Sequence, residues 1–179
     1  NEERKYINQK KYKIPKSNIN DFANVFKGSF NFFMDLPKID KRRTEKKFKD
    51  LNEKNEDLPK YFLRNFHYQT DGYLSEKSAN LYEFQVETLF SGSAATMRRF
   101  SLLPIIKYLN SNNENLNFLD IGTGSGEFIK TIKYNLPKLN ITCSDISRAY
   151  LEVAKKKLKN FTDINFRNCK GEDLPFENK

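Results

Sequence analysis

No apolar run among the 179 residues approaches the length of a membrane span, and the first residues lack the order of a secretory signal. Neither a membrane-spanning nor a secreted protein is expected. Cysteine is nearly missing: Cys143 and Cys169 are the only two, each inside an apolar, strand-like stretch. Thiols so placed argue against a disulfide scaffold or a metal site and read as reduced core residues of a cytoplasmic protein. Histidine occurs once. His67 stands beside Tyr68 and close to Asp71, where a satisfied histidine in an aromatic cluster is preferred over a general base. Arginine is scarce as well, 8 residues against 24 lysines in a chain of net charge +9. Phosphate recognition favours the bidentate fork of Arg. The lysine surplus therefore predicts a solvated surface, and no specific nucleic-acid site is expected.

What is present falls into three parts. Residues 1–60 form a basic extension with 16 basic and 10 acidic side chains. Its Phe-rich stretch 22–36 is expected to pack as a helix and a turn broken at Gly28. The following segment, with Glu45 and Lys49 four apart, reads as a solvated helix or linker ending at Pro59. Residues 61–110 are expected to be helical and to cover the substrate side. One helix places Ala79, Tyr82, Val86, Leu89 and Phe90 on a single face, and Ser91-Gly92-Ser93 breaks it. A second runs to Leu109 with a kink at Pro104, carrying Arg98 and Arg99 on a solvated face rather than toward an anion. The polar stretch 110–117 reads as a loop.

Residues 117–179 alternate strand and helix. Residues 118–121 predict a short buried strand, and 127–134 a helix with Phe128, Ile129 and Ile132 inward. A second strand covers 139–144. Ser147 caps a helix that turns Tyr150, Leu151, Ala154 and Leu158 to the sheet and pairs Glu152 with Lys156. A third strand covers 164–169. Short apolar strands joined by helices pair in parallel through right-handed crossovers, so the fold class is α/β, a doubly wound parallel sheet.

Glycine is also sparse, yet three of only seven residues fall in the five positions 122–126 of "NFLDIGTGSGEF". A backbone so written must come close to something. A dinucleotide fingerprint needs a glycine three residues after its second one; Glu127 and Ile129 occupy the places where frames based on these glycines require it. No Gly-Lys-Ser/Thr follows, so a phosphate-binding Walker loop is excluded too. Glu127, opening the next helix, would also repel a pyrophosphate at that N-terminus. A ligand without phosphates fits better.

"LDIGTGSGEF" resembles the first motif of the class I S-adenosylmethionine-dependent methyltransferases, an acidic residue followed by G-x-G-x-G. Asp145 in "ITCSDIS", nineteen residues after Gly126, matches the family's acidic residue at the end of the second strand. "CKGEDLPF" is similar to the next motif, which lines the adenine. The resemblance spans 118–176 and is nearest to quinone-biosynthesis-like C-methyltransferases. It implies a Rossmann-like sheet of which the first three strands are present, behind an N-terminal helical extension. The end of the chain shortly after this motif is expected to make it a fragment.

The resemblance further implies S-adenosyl-L-methionine as cofactor and a small-molecule, quinone-like methyl acceptor. It assigns cofactor contacts to Asp120, Gly122, Thr123, Gly124, Ser125, Gly126, Asp145, Ile146, Gly171 and Glu172. Asp120 orients the loop or meets the cofactor's ammonium group, and Asp145 accepts the two ribose hydroxyls. Lys170 departs from the family pattern, since an acidic residue is common there and lysine has no acceptor. Catalytic residues are not assigned, because the family places acceptor-side groups after the fourth strand, and no metal is implied. Two alternatives stay open: an RNA methyltransferase using the basic N-terminal region, and a protein that binds S-adenosylmethionine without catalysis.

Overall fold

The computed structural model describes residues 2–14, 58–63, 72–111 and 116–177. His67, the Phe-rich stretch 22–36 and the Glu45–Lys49 pair lie outside the described residues. In chain order the elements are α1 (Glu2–Asn8), α2 (Glu76–Leu89), α3 (Ala94–Ser111), β1 (Asn117–Ile121), α4 (Glu127–Asn135), β2 (Asn140–Asp145), α5 (Arg148–Leu158) and β3 (Ile164–Asn168).

The strands lie side by side in the order β1-β2-β3, all parallel, with Phe118 opposite Ile141 and Ile141 opposite Ile164. Parallel neighbours cannot be joined by a hairpin, so α4 and α5 serve as crossovers. Because the strands advance in one direction, right-handed crossovers put both helices on the same face. This is a Rossmann-like α/β arrangement, and among the described residues the strand order does not reverse.

The covered face holds the core. Ile141 and Cys143 of β2 are fully buried, with Phe118, Ile164 and Phe166 beside them. α4 contributes Ile129 and Ile132, both 0% exposed, and α5 contributes Leu158. Each such isoleucine contributes about 1.5–3 kcal/mol by leaving water. Phe128 packs at the margin, as its place on the helix predicts. Tyr150, Leu151 and Ala154 are buried as expected, and the Ser147 hydroxyl accepts the Tyr150 amide hydrogen to cap α5. Burial also raises the Cys143 thiol to about 11, so it packs as an inert apolar group. Cys169 is free too but only half-buried, not the core residue the sequence implies.

The other face explains a difference from expectation. β1 is not a fully buried strand: Leu119 is 37% and Ile121 53% exposed. Side chains alternate across a strand, and the crossover helices cover only one of its sides. Lys133 differs in the opposite sense. It lies within α4 at 1% exposure and donates to the carbonyls of Pro137 at 2.6 Å and Leu139 at 2.9 Å. Those carbonyls follow the helix C-terminus, where a cation is favoured.

α2 is capped by Ser75, which accepts the Ser78 amide hydrogen at 3.1 Å. It seats on α5 through Ala79 and Tyr82. Tyr82 and Tyr73 meet the Tyr150 ring edge-on at 5.5 and 5.6 Å, and Phe62 stacks on Tyr73 at 5.3 Å. Leu89 and Phe90 do not join this face; they are 72% and 43% exposed, because the contact with α5 covers only the N-terminal half of α2. Gly92, at φ +79°, supports the break that follows.

α3 continues through Pro104 to Ser111, past the expected end at Leu109. Leu102 is fully buried, and Leu103, Ile105 and Ile106 pack on the core. Anchors on both sides of the proline offset its missing hydrogen bond. The expected Glu152–Lys156 pair is also replaced. Glu152 pairs with Lys155 and Lys156 reaches Glu76 of α2, both at 2.7 Å.

Candidate cofactor site

The site lies at the C-terminal ends of the strands, where ligands bind in open parallel sheets. β1 ends at Ile121, and residues 122–126 turn the chain into α4. The turn needs left-handed backbone three times: φ is +76° at Gly122, +58° at Gly124 and +80° at Gly126. The amides of Gly122 and Thr123 both donate to the Ser144 carbonyl, at 2.8 and 2.9 Å. The Thr123 hydroxyl donates to the Asp120 carboxylate, so Asp120 orients the loop from the end of β1.

The three glycines differ in what surrounds them. Among the described residues, a Cβ on Gly122 would meet nothing within 4 Å, and one on Gly124 only the edge of Tyr150, at 4.0 Å. A Cβ on Gly126 would lie 3.1 Å from both Ala154 Cβ and Leu158 Cδ1. Gly122 and Gly124 thus leave open space above the loop, whereas Gly126 lets α4 start against α5.

Asp145 closes the loop from below. Its Oδ2 accepts the Gly124 amide hydrogen and its Oδ1 that of Ser147, each at 2.8 Å. One carboxylate therefore ties the glycine loop to the start of α5. Desolvation raises its pKa above the ordinary carboxylate value, and the two amides oppose that rise. Burial raises Asp120 too; the Thr123 bond opposes the shift and the neighbouring Asp145 charge adds to it. Two amide bonds leave further lone pairs on Asp145 for other donors.

A cavity of about 410 Å³ is lined by Ile146, Ser147, Arg148 and Ala149, which follow Asp145 in the chain, by Asn168, Cys169 and Lys170 after β3, and by Leu58 and Leu74; Asp145 itself does not line it. Asn168 shapes it. Opposite Asp145 in the sheet, it donates to the carbonyls of Asp145 and Ile146 at 2.9 and 2.8 Å and accepts from Arg148 Nε at 3.0 Å. Sequence reading missed this residue, although a polar side chain ending a strand level with Asp145 was a visible signal. Gly171 packs near Ile121, where a Cβ would stand 3.2 Å from Ile121 Cγ2. Glu172 is exposed, and its Oε1 accepts the Tyr61 hydroxyl hydrogen at 2.8 Å.

Ser125 is 1% exposed, and its hydroxyl donates to Glu83 of α2. Arg98 is not on a solvated face. It pairs with Glu83 at 2.6 Å and stands 3.7 Å from Glu87. Arg99 donates to Thr96 Oγ1 at 2.9 Å. Glu127 is held by Lys157 at 2.8 Å and lies 3.7 Å from Lys130. Desolvation is the largest single influence and raises its pKa, but the charge and hydrogen bond of Lys157, with Lys130 and Arg98, together lower it. With its charge compensated, Glu127 repels phosphate far less than the sequence implies, so the missing third glycine carries that exclusion. Among the described residues no cluster of His, Cys, Asp and Glu is arranged to hold a metal ion.

Residues 118–179, the sheet together with its loops, match the family described as a methyltransferase domain. Two curated relatives resemble parts of the chain. A highly reducing polyketide synthase of Neocamarosporium betae is 30% identical over 114 residues, 62% of this chain and 4% of that protein. A release factor glutamine methyltransferase of Streptococcus pneumoniae is 44% identical over 46 residues, 26% of this chain and 16% of that one. The chain thus spans a small part of either relative. No solved structure matches it significantly. The matched segment contains every sequence-assigned site residue, while Glu83 reaches it from α2 and is paired with Arg98 of α3.

Proposed function

We propose that the protein transfers a methyl group from S-adenosylmethionine to a small-molecule acceptor, with quinone-like compounds as the first class to assay. One observation carries the reading: a glycine loop with open space above it is pinned by a strand-end carboxylate, and the residues that follow this carboxylate line a 410 Å³ cavity. S-adenosylmethionine supplies the methyl group on a sulfonium, so the leaving sulfur needs no protonation. Gly122 and Gly124 would admit its methionine part, since a side chain at either would fill the space. Asp145 would accept the ribose hydroxyls with its remaining lone pairs. Ile146, Asn168 and Lys170 would border the adenine. The chain's contribution to the reaction is then alignment and exclusion of water, with α2 bordering the loop at Ser125. No described side chain is needed as a base unless the acceptor must lose a proton.

Calorimetry with S-adenosylmethionine, S-adenosylhomocysteine and NAD tests this assignment. Binding of the first two and not of NAD is expected. Tight NAD binding without any response to S-adenosylhomocysteine would remove the methyltransferase reading.

The raised pKa of Asp145 adds a pH signature. Affinity for S-adenosylhomocysteine is expected to fall on acidification from a pH above the ordinary carboxylate range of about 4, as the ionised acceptor is lost. The stability contribution has the opposite sign. A carboxyl whose folded pKa is raised contributes stability below its unfolded pKa and loses it as pH rises through the folded value. Mild acid should therefore weaken ligand binding while relieving the cost of the buried charge. Titrating affinity and melting temperature together against Asp145→Asn isolates the effect, because the variant should lose the Asp145 part of both slopes while those of Asp120 and Glu127 remain.

A further inference from the structure

We infer that Glu83 of α2 is a positioning residue for the glycine loop, holding it in its ligand-binding form from outside the methyltransferase domain. The inference rests on the cofactor reading of that loop. Glycines have little intrinsic preference between left- and right-handed backbone, so a G-x-G-x-G loop needs anchors to stay in one conformation. Among the described residues, three carboxylates anchor the loop. Thr123 is tied to Asp120 and Gly124 to Asp145, both at the ends of sheet strands. The third comes from elsewhere: the Ser125 hydroxyl donates to Glu83 Oε1, 42 positions away in the chain.

Ser125 stands between two left-handed glycines, at φ +58° and +80°, and is 1% exposed. Glu83 is itself immobilised. Its Oε2 accepts from Arg98 Nη2 at 2.6 Å, with the two side chains only 24% and 18% exposed. Arg98 also stands near Glu87, whose Oε1 accepts the Ala95 amide hydrogen at 2.7 Å in the first turn of α3. On the far side, Lys157 Nζ approaches the Ser125 oxygen at 3.5 Å while pairing with Glu127. A hydrogen-bonded chain thus runs from α3 through α2 to the loop and on to α5 and α4. A charge-assisted bond in a partly desolvated place is stronger than a surface contact. The seating of α2 therefore sets whether the loop is ready, so the helix that borders the loop also prepares it.

The test uses Glu83→Ala, Glu83→Gln, Ser125→Ala and the double alanine variant of the whole protein. S-adenosylhomocysteine affinity, melting temperature and amide hydrogen exchange of residues 122–127 without ligand are measured on each. Each single alanine variant should weaken affinity about tenfold, the effect of losing one charge-assisted bond. The double variant should be no weaker than the worse single one, because both remove the same bond. Glu83→Gln should recover most of the affinity, since its amide oxygen still accepts the Ser125 hydroxyl hydrogen. Loop exchange should quicken in the alanine variants and stay near normal in Glu83→Gln.

Additive losses in the double variant would overturn the inference. So would a fall in melting temperature with loop exchange unchanged, the mark of a purely structural Glu83. Ser125→Ala leaves the Glu83–Arg98 pair intact and decides the question if the Glu83 variants do not fold. Failure of the unaltered protein to bind S-adenosylhomocysteine would overturn the cofactor reading, while the exchange comparison would still decide the anchor.

Discussion

Asp145→Ala is expected to weaken S-adenosylhomocysteine binding by about thirtyfold to a thousandfold. A hydrogen bond to a charged group contributes about 1.5–3 kcal/mol, and losing both ribose contacts, with allowance for solvent access, costs about 2–4 kcal/mol. The fold should respond as well, because the carboxylate already accepts the amides of Gly124 and Ser147. Removing a cap-like acceptor costs about 1 kcal/mol, and relief of a buried charge offsets part of that. Asp145→Asn keeps one acceptor oxygen and should fall between the two proteins in both measurements. A melting temperature and a calorimetric titration on each of the three proteins suffice. Intact affinity in Asp145→Ala would reduce this residue to a helix-capping role.

Gly126→Ala should unfold the domain more readily than any other alanine placed in the loop. At φ +80° a side chain carries a left-handed penalty of about 1–2 kcal/mol. The new Cβ would also press on Ala154 and Leu158, and overpacking of this kind costs about 1–3 kcal/mol. Together these give about 2–5 kcal/mol, roughly 4–20 °C in melting temperature for a chain of this size. Gly122→Ala is the control. It has similar strain at φ +76° but no described residue within 4 Å of the new Cβ, so its stability loss should stay at about 1–2 kcal/mol. Its methyl group would enter the space assigned to the ligand, so its affinity should suffer more than its stability. Equal melting temperatures in the two variants would refute the packing role of Gly126.

The sequence by itself determined the order strand–glycine loop–helix–strand–helix–strand. It also determined the Ser147 cap, the inward faces of α4 and α5, and the placing of Asp145 at the end of β2. Each is carried by signals a few residues apart: a 3.6-residue period, a capping hydroxyl, a glycine where φ is positive. Other features were decided only by the tertiary structure. Arg98 reads as a solvated charge until Glu83 is brought beside it, and Glu127 as a repulsive one until Lys157, thirty positions on, compensates it. Leu89 and Phe90 continue an apolar stripe, yet the stripe outruns the helix it packs on. The role of Gly126 depends on Ala154 and Leu158 of another helix, and Ser125 meets its partner across 42 positions. Local backbone preference is written in neighbouring residues. The partner of a charge or a hydroxyl is set by which helix packs across it, and no local pattern contains that.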